Sequence, residues 1–88
     1  MFEAVQFVER RRASQPEETI LAEHESELDA VEAAREARTV FVESGSEDYA
    51  WWVVRQQGAR LSSFISDSKS DREFVLDLTS GELVEIPS

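Results

Sequence analysis

The run Tyr49-Ala50-Trp51-Trp52-Val53-Val54-Arg55 sets two adjacent tryptophans among aromatic and β-branched residues. It is too short for a buried helix and has the composition of a central strand. Neighbours on a strand point to opposite faces of a sheet, so Ala50, Trp52 and Val54 go one way and Tyr49, Trp51 and Val53 the other. Two large rings so placed cannot both pack under the same helix. One tryptophan needs cover from elsewhere, and any fold for this chain must offer apolar surroundings on both sides of this strand.

Residues 2–10 repeat that two-sided character, with Phe2, Ala4 and Val8 on one parity and Val5 and Phe7 on the other, which predicts a second such strand. Arg10-Arg11-Arg12 ends it. Ala13-Ser14-Gln15-Pro16-Glu17 has turn composition, and Pro16 has no N–H to give to a ladder. A short strand from about Thr19 to Glu23 then forms a hairpin with the first.

Ser26-Glu27-Leu28-Asp29 has the form of a capping box and puts acidic groups at the positive end of a helix dipole. The helix is expected from Glu27 to about Val42. Leu28, Val31, Ala34, Ala37 and Phe41 recur at three- and four-residue steps as its apolar stripe, with Glu32, Arg35 and Glu36 on the wet side. Arg38 falls inside the apolar arc and is expected to snorkel outward. Ser44-Gly45-Ser46 supplies the stop.

Beyond strand 49–55, Gln56-Gln57-Gly58 turns the chain. Leu61, Phe64 and Ile65 suit a helical turn, or residues 60–66 form a strand paired with 49–55; the strand is the expectation. Residues 73–78 alternate, and Thr79-Ser80-Gly81 leads into Glu82-Leu83-Val84-Glu85-Ile86, a C-terminal hairpin. The expected order is β-β-α-β-β-β-β: a single α+β domain over residues 1–88, an antiparallel sheet with one helix (about 27–42) packed on one face.

Eighty-eight residues suffice for one domain with a modest core, since chains of this size bury only about 60 to 65% of their unfolded surface. There is no cysteine, so no disulfide framework or thiolate site is available, and a reducing compartment fits. The start Met1-Phe2-Glu3-Ala4 shows neither a basic n-region nor an apolar h-region, and the longest unbroken apolar run is Tyr49 to Val54. The expectation is a cytoplasmic protein with no signal peptide and no membrane span. A net charge of −10 opposes nucleic acid or an anionic membrane as partner. The acidity is uneven: residues 17–48 hold eleven carboxylates against Arg35 and Arg38, as a solvated helix with its flanking loops would.

No constellation announces catalysis. His24, the one histidine, sits among glutamates at a strand–helix junction, where an exposed loop residue is expected. Asp67-Ser68-Lys69-Ser70-Asp71 spaces oxygens as a calcium loop would, yet has a lysine at a ligand position and no downstream bidentate glutamate. A turn that bonds its own backbone explains it better. Ser62, Ser63, Ser66, Ser68 and Ser70 have no histidine nearby in sequence and no Gly-x-Ser-x-Gly elbow. The triplet Arg10-Arg11-Arg12 reads as the solvated end of a strand, and three unclustered glycines make no phosphate-cradling loop. No catalytic, cofactor-binding or metal residue is assigned, and no cofactor is expected.

The stretches Tyr49 to Arg55, Phe64-Ile65-Ser66-Asp67-Ser68 and Glu73 to Val84 resemble a group of small acidic proteins common in high-GC bacterial genomes, a resemblance that brings no activity with it. More weakly, residues 26–86 are similar to PepSY-type domains in placing a helix before strands that end in an Asp-x-x-Thr-Gly-like turn, here Asp77, Ser80, Gly81 and Glu82. That similarity implies a secreted or membrane-associated setting and protease inhibition.

From the residues themselves, the expected function is a non-enzymatic protein-interaction domain that self-associates as a homodimer through an apolar sheet face. The candidate interface is Tyr49, Trp51, Trp52, Val53, Val5 and Phe7, with sequence parity leaving open which tryptophan belongs to it. The alternatives are a small-ligand-binding domain with a pocket near Trp51 or Trp52, and an inhibitor of PepSY-like or acidic DNA-mimic type.

Overall fold

The computed structural model describes residues 1–11, 14–59, 61–77 and 79–86. Arg12, Ala13, Arg60 and Leu78, which the sequence places in the basic triplet, the first turn, the 60–66 segment and the 73–78 alternation, lie outside the described residues. The elements run β1 (Phe2–Glu9), β2 (Glu17–His24), α1 (Glu27–Glu43), β3 (Tyr49–Gln56), β4 (Ser62–Asp67), β5 (Glu73–Leu76) and β6 (Leu83–Glu85). All six strands join one antiparallel sheet in the order β2-β1-β3-β4-β5-β6. This is the expected α+β fold, and residues 62–66 of the ambiguous segment belong to strand β4, paired with β3.

β2 and β3 both run antiparallel to β1 from opposite sides, so the connection between them must cross over β1, and α1 is that crossover. The helix begins where the sequence places it: Ser26 is the N-cap and its hydroxyl accepts from the Asp29 N–H at 3.4 Å. It ends as the Ser44 N–H bonds the carbonyls of Val40 and Phe41 and Gly45 takes φ +73, a conformation that costs a residue without a Cβ little.

The core lies between α1 and one face of the sheet. Ala30, Val31 and Ala34 of the helix meet Ala4, Val8, Ala50, Trp52, Val54 and Phe64, with Phe2, Leu21, Ala37 and Phe41 packed around them. Trp52 is fully buried, its ring edge-on to Phe41 at 5.5 Å and its Nε1–H donating to Gln6 Oε1 at 2.9 Å. A buried indole keeps its donor satisfied in this way.

Three helix positions differ from expectation. Leu28 is not in the stripe but 65% exposed; the buried arc is centred near Ala34, and at about 100° per residue Leu28 falls outside it. Arg38 does not snorkel to water. Its guanidinium donates to the carbonyls of Asp67 and Ser70, each at 2.8 Å, and so fastens the β4–β5 loop to the helix. Arg35, expected on the wet side, reaches across to β5 and grips Glu73 with two bonds of 2.9 Å while also bonding Glu32. Those paired carboxylates raise its pKa.

Candidate functional site

The helix lies over β2, β1 and β3 on one side only, so among the described residues the other face of the sheet has no layer on it. Strand register fixes what that open face carries. Across β1 and β3, Glu3 stands opposite Arg55, Val5 opposite Val53, Phe7 opposite Trp51 and Glu9 opposite Tyr49. β4 adds Ile65 beside Val53 and Asp67 beside Trp51, and β5 adds Phe74 beside Ile65. On the far side, β2 sets Ile20 against Val5 and Glu18 against Phe7. The extra residue between Ile20 and Ala22, Leu21, is part of an irregularity in the β1–β2 ladder and packs toward the core instead.

The face is therefore graded from end to end. At one end Arg55 is held by Glu3 at 3.2 Å and Glu18 at 2.8 Å, and the bond to Glu18 contributes most to raising its pKa against the cost of partial burial. In the middle Val5 and Val53 are 0% and 5% exposed with no helix over them, because larger side chains flank them on both sides of the ladder. At the other end the rings of Phe7 and Trp51 stack at 5.1 Å and 9° between planes, and Tyr49 tilts against Trp51 at 5.7 Å. Stacks of this kind contribute about 0.5 to 1.5 kcal/mol beyond their buried area, and here the ring of Trp51 is still only half-buried.

Beyond the stack the face becomes concave. A groove of about 560 Å³ is walled by Tyr49, Trp51, Ile65, Phe74 and Leu83, with Glu9 and Asp67 on its rim. The Asp67 carboxylate is already committed: one oxygen accepts the N–H groups of Lys69 and Ser70 and the other the Tyr49 hydroxyl at 3.1 Å. The Asp67 to Asp71 segment is thus a self-bonded turn. Burial, then the bond to Asp67, raises the Tyr49 pKa above its ordinary value.

Five of the six interface candidates, Tyr49, Trp51, Val53, Val5 and Phe7, come together on this open face. The sixth, Trp52, does not: it points to the helix side and is a core residue. Of the groove residues, Ile65, Phe74, Leu83 and Glu9 were not singled out by the sequence, and Asp67 was weighed only as the start of a calcium-like loop. Their signal is the register of β4, β5 and β6 against β3, and an irregularity between Val54 and Arg55 hides it from simple counting. His24 pairs with Phe2 at the other end of the strands from Tyr49, remote from the groove. Arg10 is engaged by Glu17 at 2.8 Å and Asp48 at 3.3 Å.

No family model, no curated protein and no solved structure matches the chain. No helix among the described residues is long and apolar enough to cross a membrane.

Proposed function

We propose that this chain is a non-enzymatic interaction domain that pairs with a second copy of itself through the open face of its sheet. The observation that carries the reading is the half-buried Phe7–Trp51–Tyr49 stack on the face that no helix covers. Large, partly exposed aromatics within a contiguous apolar patch are the usual anchors of an interface.

Size supports it. The thirty-seven strand residues, each occupying about 3.3 by 4.8 Å of sheet, give a face of about 590 Å² in projection, before the relief of its side chains is counted. That is the scale of the roughly 800 Å² per partner in a standard interface. A two-fold axis lets one such face meet its own copy and closes the assembly. The remoteness of the one histidine from the groove supports the non-enzymatic part of the proposal.

The test is multi-angle light scattering at about 100 μM, well above the dissociation constants of stable dimers. The unmodified chain is expected to read as a dimer and Trp51→Glu as a folded monomer, because that carboxylate sits on the open face and leaves the core intact. A monomeric unmodified chain at this concentration overturns the proposal, as does a Trp51→Glu chain that remains a dimer.

A further inference from the structure

The groove at the Tyr49 end has a chemistry of its own and is complete within one copy. Three aromatic residues, Tyr49, Trp51 and Phe74, form much of its wall. Both titratable groups on its rim besides the tyrosine, Glu9 and Asp67, are acidic, and no basic side chain lines it among the described residues. A second hollow of about 220 Å³ adjoins it through the shared residues Glu9 and Tyr49 and adds Glu47 and Asp48 beside Arg11. Glu9 stands at the junction, exposed and without an ion pair among the described residues.

We infer that this groove binds a small organic cation, with an aromatic or aliphatic body against Trp51, Tyr49 and Phe74 and a protonated or quaternary amine directed at Glu9. Four physical points converge on that chemistry. Ring faces carry negative charge density and attract cations, most strongly where water is partly excluded. The volume of 560 Å³ falls within the range of about 300 to 1,000 Å³ typical of small-molecule sites, so a small molecule is the occupant that fits rather than a strand of peptide. An anion would meet Glu9, Asp67 and Glu47, and Asp48 already paired with Arg10, with Arg11 as the one basic residue of the lining. The chain's net charge of −10 raises the local concentration of any cation. Every residue it uses belongs to one copy, and since Tyr49 and Trp51 also anchor the proposed dimer face, a bound cation and a second copy compete for this end of the sheet.

The experiment follows the intrinsic tryptophan fluorescence of the full chain at about 1 μM, far below the concentration used to detect a dimer. Three probes share a phenyl body and differ in charge: phenethylamine, phenethyl alcohol and hydrocinnamate. Saturable binding of phenethylamine is expected, about tenfold tighter than the alcohol, the size of one well-placed cation–π and carboxylate contact, with hydrocinnamate weakest. Glu9→Gln is expected to remove the carboxylate share of the amine's preference, about half of it on a logarithmic scale, while leaving the alcohol unchanged, and because Glu9 is exposed the variant keeps its fold, as circular dichroism can confirm. Hydrocinnamate binding as tightly as phenethylamine overturns the inference. So does an amine preference undiminished by Glu9→Gln, or no saturation of the monomeric chain by phenethylamine up to about 10 mM, well above a millimolar dissociation constant. Light scattering at that same concentration shows whether the chain is monomeric there, and Phe7→Glu, outside the groove lining, keeps it so where it is not, so that cover by a second copy is told apart from failure of the inference.

Discussion

On the helix side of the sheet, Trp52 is sealed between α1 and its neighbours, with its one polar atom bonded to Gln6. One residue earlier on the same strand, Trp51 lies flat against Phe7 with water over part of its ring. The two sides reach burial by different means. A second layer encloses the helix side, whereas the open side protects Val5 and Val53 only by leaning larger side chains over smaller ones within a single layer. Cover of that second kind leaves the tall residues themselves partly wet. That is why the aromatic stack, and not the valines, is the part of this face left for a partner or ligand.

The largest expected effect tests that contrast. Trp52→Ala removes a fully enclosed ring and leaves a cavity under the helix, so it is expected to cost about 3 to 5 kcal/mol. For a domain of this size that is a large share of the whole stability. Trp51→Ala is expected to cost roughly half as much at dilution, since it loses transfer free energy and a stack but opens no closed cavity. Urea denaturation of both variants at low protein concentration measures the ratio. Equal losses would mean that the open face is as enclosed as the helix side.

How much of this was legible in the sequence divides along the same line. The capping box at Ser26, the order of the strands along the chain and the two-sided pattern of 2–10 and 49–55 are local signals, and each corresponds to an observed element. The choice between Trp51 and Trp52 is not local: parity says only that they oppose each other, and the crossover of α1 over β1 decides which side is covered. Leu28 and Arg38 show the limit of helical periodicity, which fixes angles between residues but not the centre of the buried arc. The groove was hidden for a related reason, because Phe74 and Leu83 reach it only through the pairing of β4, β5 and β6.

A middle-sized effect concerns Arg38, a residue that ties the two sides together. Arg38 leaves the helix side, bonds the carbonyls of Asp67 and Ser70, and thereby holds the loop whose Asp67 carboxylate accepts the Tyr49 hydroxyl on the open side. Arg38→Leu is expected to cost about 1.5 to 3 kcal/mol, the usual worth of hydrogen bonds to a charged group. Arg38→Lys should recover less than half of that loss, because one ammonium cannot span both carbonyls as a guanidinium fork does. Amide exchange of residues 68–72 should quicken in both variants. Full recovery by lysine would mean that charge, not the fork, is what fastens the loop.

The smallest effect is read from Tyr49, the only tyrosine in the chain, so an ultraviolet titration of tyrosinate reports on the open face alone. Its pKa is raised from the ordinary 10.0, first by burial and then by the hydrogen bond and the charge of Asp67. The folded state therefore holds this proton more tightly than the unfolded chain does. By linkage, the associated stability is fully present below the unfolded value, and is lost as pH climbs through the raised folded one. The titration midpoint of the native chain is expected above that of the chain in denaturant. Asp67→Asn should lower it without bringing it all the way to the denatured value, because burial against Trp51 remains when the carboxylate is gone. A midpoint that returns fully to the denatured value in Asp67→Asn would assign the whole shift to Asp67. It would also mean that this end of the open face is wetter than the stacked rings imply, which would weaken the contrast between the two sides of the sheet where the groove begins.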